Sequence, residues 1–166
     1  MLNKAIIFSF LSLIAIMSAC TEDTAPVAKP VADKITMNIN GKDWTADSTS
    51  LTLSVNKKFY VLRGEKYITT GSKKTLGEVM IFNLPSTIKN NDVISLPDFT
   101  NRDLDMTFAN YATSEFFVLT YDSRGKGQIN VVKFDGKRLE GIFSGSIYYA
   151  NDLKEVKTGV ISVAVK

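Results

Sequence analysis

The chain has 166 residues, 45% of them apolar and 22% charged, an ordinary globular balance at a length that suits one domain. It holds no histidine and a single cysteine, which removes Ser-His-Asp and Cys-His catalysis, histidine-ligated zinc and any internal disulfide. Its formal charge is only +3, whereas nucleic-acid-binding domains are usually strongly basic on one face, so nucleic acid is not an expected partner.

Lys4 opens the chain and is followed by an apolar run from Ala5 to Met17, closed by the small pair Ser18-Ala19. A short positive region, an apolar stretch and small residues before a cleavage point describe a secretory signal over residues 1–19. The run is shorter than the roughly 20 apolar residues needed to cross a bilayer, so removal is expected rather than a permanent span. The segment Met17-Ser18-Ala19-Cys20 resembles the bacterial lipobox, with Met17 where leucine is commonest. That resemblance implies a diacylglycerol thioether on Cys20, cleavage between Ala19 and Cys20, and acylation of the new amine, palmitate being the typical chain. Two or three acyl chains anchor stably where one does not. The partner expected from this segment is therefore the lipid bilayer, held through acylated Cys20.

Thr21-Glu22-Asp23-Thr24 comes next. An acidic pair just behind the lipidated cysteine resembles the surface-export signal of Bacteroidota lipoproteins, and Thr21 in place of Asp disfavours inner-membrane retention by analogy with enteric sorting. The expected location is the outer membrane, on its periplasmic or cell-surface face. Ala25 to Ala32 carries two prolines and no long apolar side chain, a composition that favours an extended tether. Residues 20–33 are read as a lipidated linker and 34–166 as one domain, large enough to bury about two-thirds of its surface.

Within the domain, Ile35, Met37 and Ile39 alternate with polar residues, the period of a half-buried strand. Asn40-Gly41 then predicts a type I′ turn and a return through Trp44 and Ala46. Leu51, Leu53 and Val55 repeat the alternation, and Asn56-Lys57-Lys58 turns the chain into Phe59 to Leu62. Further strands are expected at Glu78 to Leu84 and Asp92 to Leu96. Leu104 to Tyr111, with Phe108 and Tyr111 three apart, is the one stretch that reads as a short helix. Glu115 to Tyr121 is nearly continuous in apolar residues and reads as a mid-sheet strand that is covered on both faces or faces a partner sheet. Gln128 to Phe134 follows, and Asp135-Gly136 turns into a long strand from Arg138 to Ala150. There Leu139, Gly141, Phe143, Gly145, Ile147 and Tyr149 share one face, and the two glycines suggest strong curvature. Val156 to Val165 ends the chain.

About ten strands with regular turn signals predict an all-β fold, an antiparallel two-sheet sandwich or flattened barrel ending in a meander. Asn40-Gly41-Lys42 with Trp44, the Gly127-Gln128-Ile129 strand ending in Phe134-Asp135, and Gly141-Ile142-Phe143-Ser144-Gly145 resemble a group of small Bacteroidota lipoproteins of unknown function. These are turn and core positions, so the resemblance implies fold and address and carries no activity.

Without histidine, the remaining catalytic vocabulary is Asp, Glu, Lys, Ser and Tyr, and no spacing picks out a carboxylate pair for glycoside hydrolysis. The expectation is a non-enzyme with no cofactor, no catalytic residue and no metal site. Asp98, Asn101, Asp103 and Asp105 could offer oxygens to calcium, yet they lack the EF-hand order and read as a solvated loop. Lys57-Lys58, Lys73-Lys74, Arg124 with Lys126, and Lys137-Arg138 sit at turns; sharing one end they would suit an anionic glycan or headgroup, and otherwise they solubilise loop tips. Tyr148-Tyr149 and Phe116-Phe117 put rings on opposite faces, and an exposed Tyr beside Trp44 would suit a sugar ring, while Trp44 and Phe143 read first as core. Two roles stay open. One is a binding or structural lipoprotein whose partner is a surface-complex protein or a glycan; the other is a barrel-type carrier with an apolar cavity.

Overall fold

The computed structural model describes residues 31–98, 101, 103–119, 124–149 and 152–166; Ala19, Cys20 and the leader lie outside the described residues, as does the side chain of Tyr149. Residues Ala32–Lys166 form a compact unit. It is all-β and antiparallel, with eleven strands among the described residues rather than ten.

Strands β1 (Lys34–Ile39) and β2 (Lys42–Thr45) pair with Ile39 opposite Lys42, leaving Asn40-Gly41 as a two-residue turn. Their φ angles of 49° and 81° are the two positive values that a type I′ turn requires. Strands β3 (Ser48–Leu53) and β4 (Phe59–Thr70) follow, joined through Asn56-Lys57-Lys58, where the Asn56 side chain accepts from the Lys58 amide at 3.2 Å. β4 continues into β5 (Lys73–Pro85) as the longest hairpin, in register from Phe59 opposite Pro85 to Thr70 opposite Lys73.

Next come β6 (Val93–Leu96), β7 (Met106–Asn110) and β8 (Glu115–Leu119). The helix read at Leu104 to Tyr111 is corrected to strand β7: Met106 and Phe108 point into the core on either side of Thr107, a period of two. The 108/111 spacing arises because Tyr111 begins the turn to β8. The apolar run of β8 is likewise covered on one face. Phe117 and Leu119 are fully buried, while Phe116 is 44% exposed and meets Tyr111 edge-on at 5.9 Å.

The chain ends in a meander of β9 (Lys126–Phe134), β10 (Arg138–Tyr149) and β11 (Asp152–Ala164). Asp135 closes the β9–β10 turn by accepting the amides of Lys137 and Arg138, both at 2.8 Å. Curvature of β10 comes from close backbone approach at Gly145, where any Cβ would lie 2.6 Å from the Lys126 carbonyl oxygen and 2.7 Å from Gly127 Cα.

All strands belong to one sheet, ordered β2-β1-β11-β10-β8-β7-β5-β4-β3, with β9 on β10 and β6 on β9. β10 serves β9 along Leu139 to Ser146 and β8 at Tyr148, both on the edge away from β11. The sheet curls strongly, into a half-barrel, until its last strand returns to an earlier one. Leu51 of β3 bridges Val165 in parallel, and the Lys166 amide donates to the Leu51 carbonyl at 2.9 Å. The first hairpin also folds back onto β4, where the Asp47 amide donates to the Glu65 carbonyl at 2.7 Å.

Inside the curl, Phe82, Phe117, Phe143, Met80, Met106 and Leu84 are essentially inaccessible, and the rings of Phe82 and Phe143 pack edge-to-face at 4.9 Å. Each such side chain contributes roughly 1.5–3 kcal/mol relative to exposure, so the interior, with no buried disulfide, is the main source of stability. The two ends of the curl differ. The chain comes in at Lys34 beside Ser162, at the end that also carries the β3–β4 and β9–β10 turns. The opposite end carries Asn40-Gly41 and the β4–β5, β7–β8 and β10–β11 connections.

Candidate pocket at the far end of the curled sheet

At that opposite end lies a depression of about 310 Å³, more enclosed than the wider grooves elsewhere on the surface. Each wall has a local origin. The type I′ turn presents Ile39, Asn40, Lys42 and Asp43; β4 and β5 bring Lys66 and Glu78 opposite one another; β7 ends at Asn110; β11 carries Lys154 near its start. Phe108 and Trp44 form the apolar part.

Trp44 alternates inward from β2 and is 3% exposed. The far edge of its indole packs on Gly64, where a Cβ would come within 3.1 Å of Trp44 Cη2 and press the ring aside by a few tenths of an ångström. Its Nε1 is buried and has no acceptor among the described residues. A buried donor left unpaired costs about 1–3 kcal/mol, so this N–H is a local cost carried within the core and is not a group open to the pocket.

The charged groups around it are loosely paired. Lys66 lies 3.8 Å from Glu78, and Lys154 lies 3.9 Å from Glu115, both beyond hydrogen-bond length, so their ammonium protons remain available. Lys154 also sits 4.3 Å above the buried Phe117 ring, which holds its ammonium at the end of the core by a cation–π contact. Asn110 Nδ2 donates to Glu78 at 3.2 Å and Asn38 Nδ2 to Asp43 at 2.9 Å, fixing the two carboxylates. The pocket thus presents three cations, two anions and amide groups beside an apolar wall of Ile39, Trp44 and Phe108.

Of the positions singled out in the sequence, Trp44 and the Asn40-Gly41-Lys42 turn border the pocket and the others are placed elsewhere. Cys20 and Ala19 lie outside the described residues. The basic pairs divide between the ends: Lys57-Lys58 and Lys137-Arg138 lie at one, Lys73-Lys74 and Lys126 at the other. Arg138 ties the chain's arrival to the last strand, donating to Asp33 and to Ser162 at 2.8 and 2.9 Å. Lys74 and Arg124 cover the rings of Tyr67 and Tyr148. In the acidic loop Asn101 accepts the Asp103 amide, and Asp105 accepts from Asn83 Nδ2 at 2.8 Å; among the described residues no three acids gather into a metal-holding group. Phe143 and Trp44 are core residues, as expected.

Asp43, Lys66, Glu78, Asn110 and Lys154 were not singled out in the sequence, because they come from five strands. Their one shared sequence signal is that most flank a turn at the same end. The interior volume that an apolar cargo would need is filled by Phe82, Phe117 and Phe143. Comparison of the chain with protein family models, with curated proteins and with solved structures found no match.

Proposed function

We propose that this chain is an exported, lipid-anchored, non-catalytic binding module whose ligand site is the pocket at the far end of its curled sheet. The observation that carries the reading is a partly enclosed pocket whose Lys66 and Lys154 hold their nearest carboxylates only beyond hydrogen-bond length. Anchoring rests on the sequence: the leader over residues 1–19, the lipobox-like Met17-Ser18-Ala19-Cys20 and the proline-bearing linker behind it. Attachment of a tether at Lys34 leaves the pocket mouth at the opposite end of the domain, open to soluble ligands in the periplasm or outside the cell. A surface-complex protein or a glycan is the partner class that suits this placement.

Two measurements test it. Mass spectrometry of the mature chain should find Cys20 acylated and amino-terminal; an intact leader or a free thiol there removes the anchor. A thermal-shift screen of neutral sugars, sugar acids, amino acids and fatty acids should find a solute that raises Tm saturably in the parent and loses that effect in Lys66→Met. No shift from any of them, or a shift that survives the substitution, counts against the pocket.

A further inference from the structure

We infer that the end pocket takes a carboxylated sugar ring, a hexuronate in size and charge; this rests on reading that pocket as the ligand site. Volume sets the scale. About 310 Å³ lies at the lower end of the roughly 300–1,000 Å³ typical of small-molecule sites, enough for one ring and its substituents.

Charge sets the sign. Three lysines against Asp43 and Glu78 leave a net of one positive charge in the lining, complementary to one carboxylate. Lys42 is exposed and forms no ion pair among the described residues, and Lys66 and Lys154 hold their acids only at 3.8 and 3.9 Å. A carboxylate would collect charge-assisted hydrogen bonds that the protein itself leaves unmade.

The two acids exclude a bare anion. A phosphate or sulfate has oxygens to accept with and little to donate, so Asp43 and Glu78 would face it as like charges. A ligand that satisfies them must also carry hydroxyl donors. Ile39 and Phe108 give the apolar floor against which the C–H face of a ring can lie. Hydroxyls, one carboxylate and an apolar face together describe a sugar acid.

Trp44 is the single tryptophan of the chain, so intrinsic emission reports this wall alone. The full chain is titrated in turn with D-glucuronate, D-glucose and inorganic phosphate. Glucuronate should give a saturable emission change, with glucose and phosphate each at least about tenfold weaker, the worth of one charge-assisted bond. Lys42→Met, a change at an exposed position that spares the core, should weaken glucuronate by about tenfold. Equal response to glucose overturns the carboxylate and leaves the pocket standing. Stronger response to phosphate overturns the hydroxyl requirement. Silence toward all three overturns the sugar-acid class, and the broader thermal-shift screen then decides separately whether the pocket binds anything.

Discussion

Asp105 sits partly buried between β6 and β7, where burial pushes its carboxyl above the ordinary 3.8; the hydrogen bond from Asn83 pulls it back down, and neighbouring Asp103 adds to the rise. A carboxyl raised in the folded state binds its proton more tightly than in the unfolded chain. Stability therefore falls as pH rises from below 3.8 through the folded value, and the charged form is a liability at neutral pH. Asp105→Asn keeps an oxygen to accept from Asn83 and removes the charge. The variant should be the more stable at pH 7, and its advantage should vanish below about pH 3.8. Urea midpoints at the two pH values measure it, and a variant less stable at pH 7 contradicts the assignment. Glu65 behaves oppositely: the hydrogen bond from Tyr67, aided by Arg63, holds it below its usual range despite burial.

Elements show best what a sequence can announce. Asn40-Gly41 and Asp135-Gly136 were legible because their turns depend on two or three consecutive residues, and the alternation of Ile35, Met37 and Ile39 needed no partner to be recognised. Leu104 to Tyr111 was misleading because eight residues hold too few repeats to separate a period of two from one of 3.6. The return of β3 to β11, the sharing of β10 between β8 and β9, and the assembly of the end pocket were not legible, since each depends on residues more than a hundred positions apart or on sheet curl. Asn40 itself does more than turn the chain: its Nδ2 donates to the Leu153 carbonyl at 3.2 Å, and its Oδ1 accepts the Glu155 amide at 2.6 Å. The first hairpin is thereby stapled to β11. Asn40→Gly keeps the positive φ and deletes both bonds, so it should lower stability by about 1–3 kcal/mol at 0.5–1.5 each. Asn40→Ala should cost about 1–2 kcal/mol more, the left-handed penalty for a residue with a Cβ. Chemical denaturation ranks the three proteins, and a glycine variant as stable as the parent would show that the staple contributes nothing.

At the level of the whole molecule, the question is whether the first hairpin unfolds with the rest. β2 stands at one end of the strand order and pairs only with β1, which would make it the natural place for local opening. Three features oppose that: Trp44 inserts beneath Gly64 of β4, the Asp47 amide bonds Glu65, and the Tyr67 amide donates to the Asp47 carboxylate at 2.8 Å. The first ties the hairpin to β4 across the curl, and the two Asp47 bonds prolong the β3–β4 ladder just behind the hairpin. Opening β2 would also expose the wall of the core at Ile35 and Met37, both nearly inaccessible. The hairpin and the central strands therefore lose their packing together, and unfolding should be all-or-none. Trp44 emission follows the hairpin alone, while far-UV circular dichroism follows every strand. Their urea transitions should superimpose in midpoint and slope. An emission change that completes before the dichroism begins to fall would mean that the contacts across the curl are too weak to couple the edge to the core, and that the pocket wall can open while the sheet stays folded.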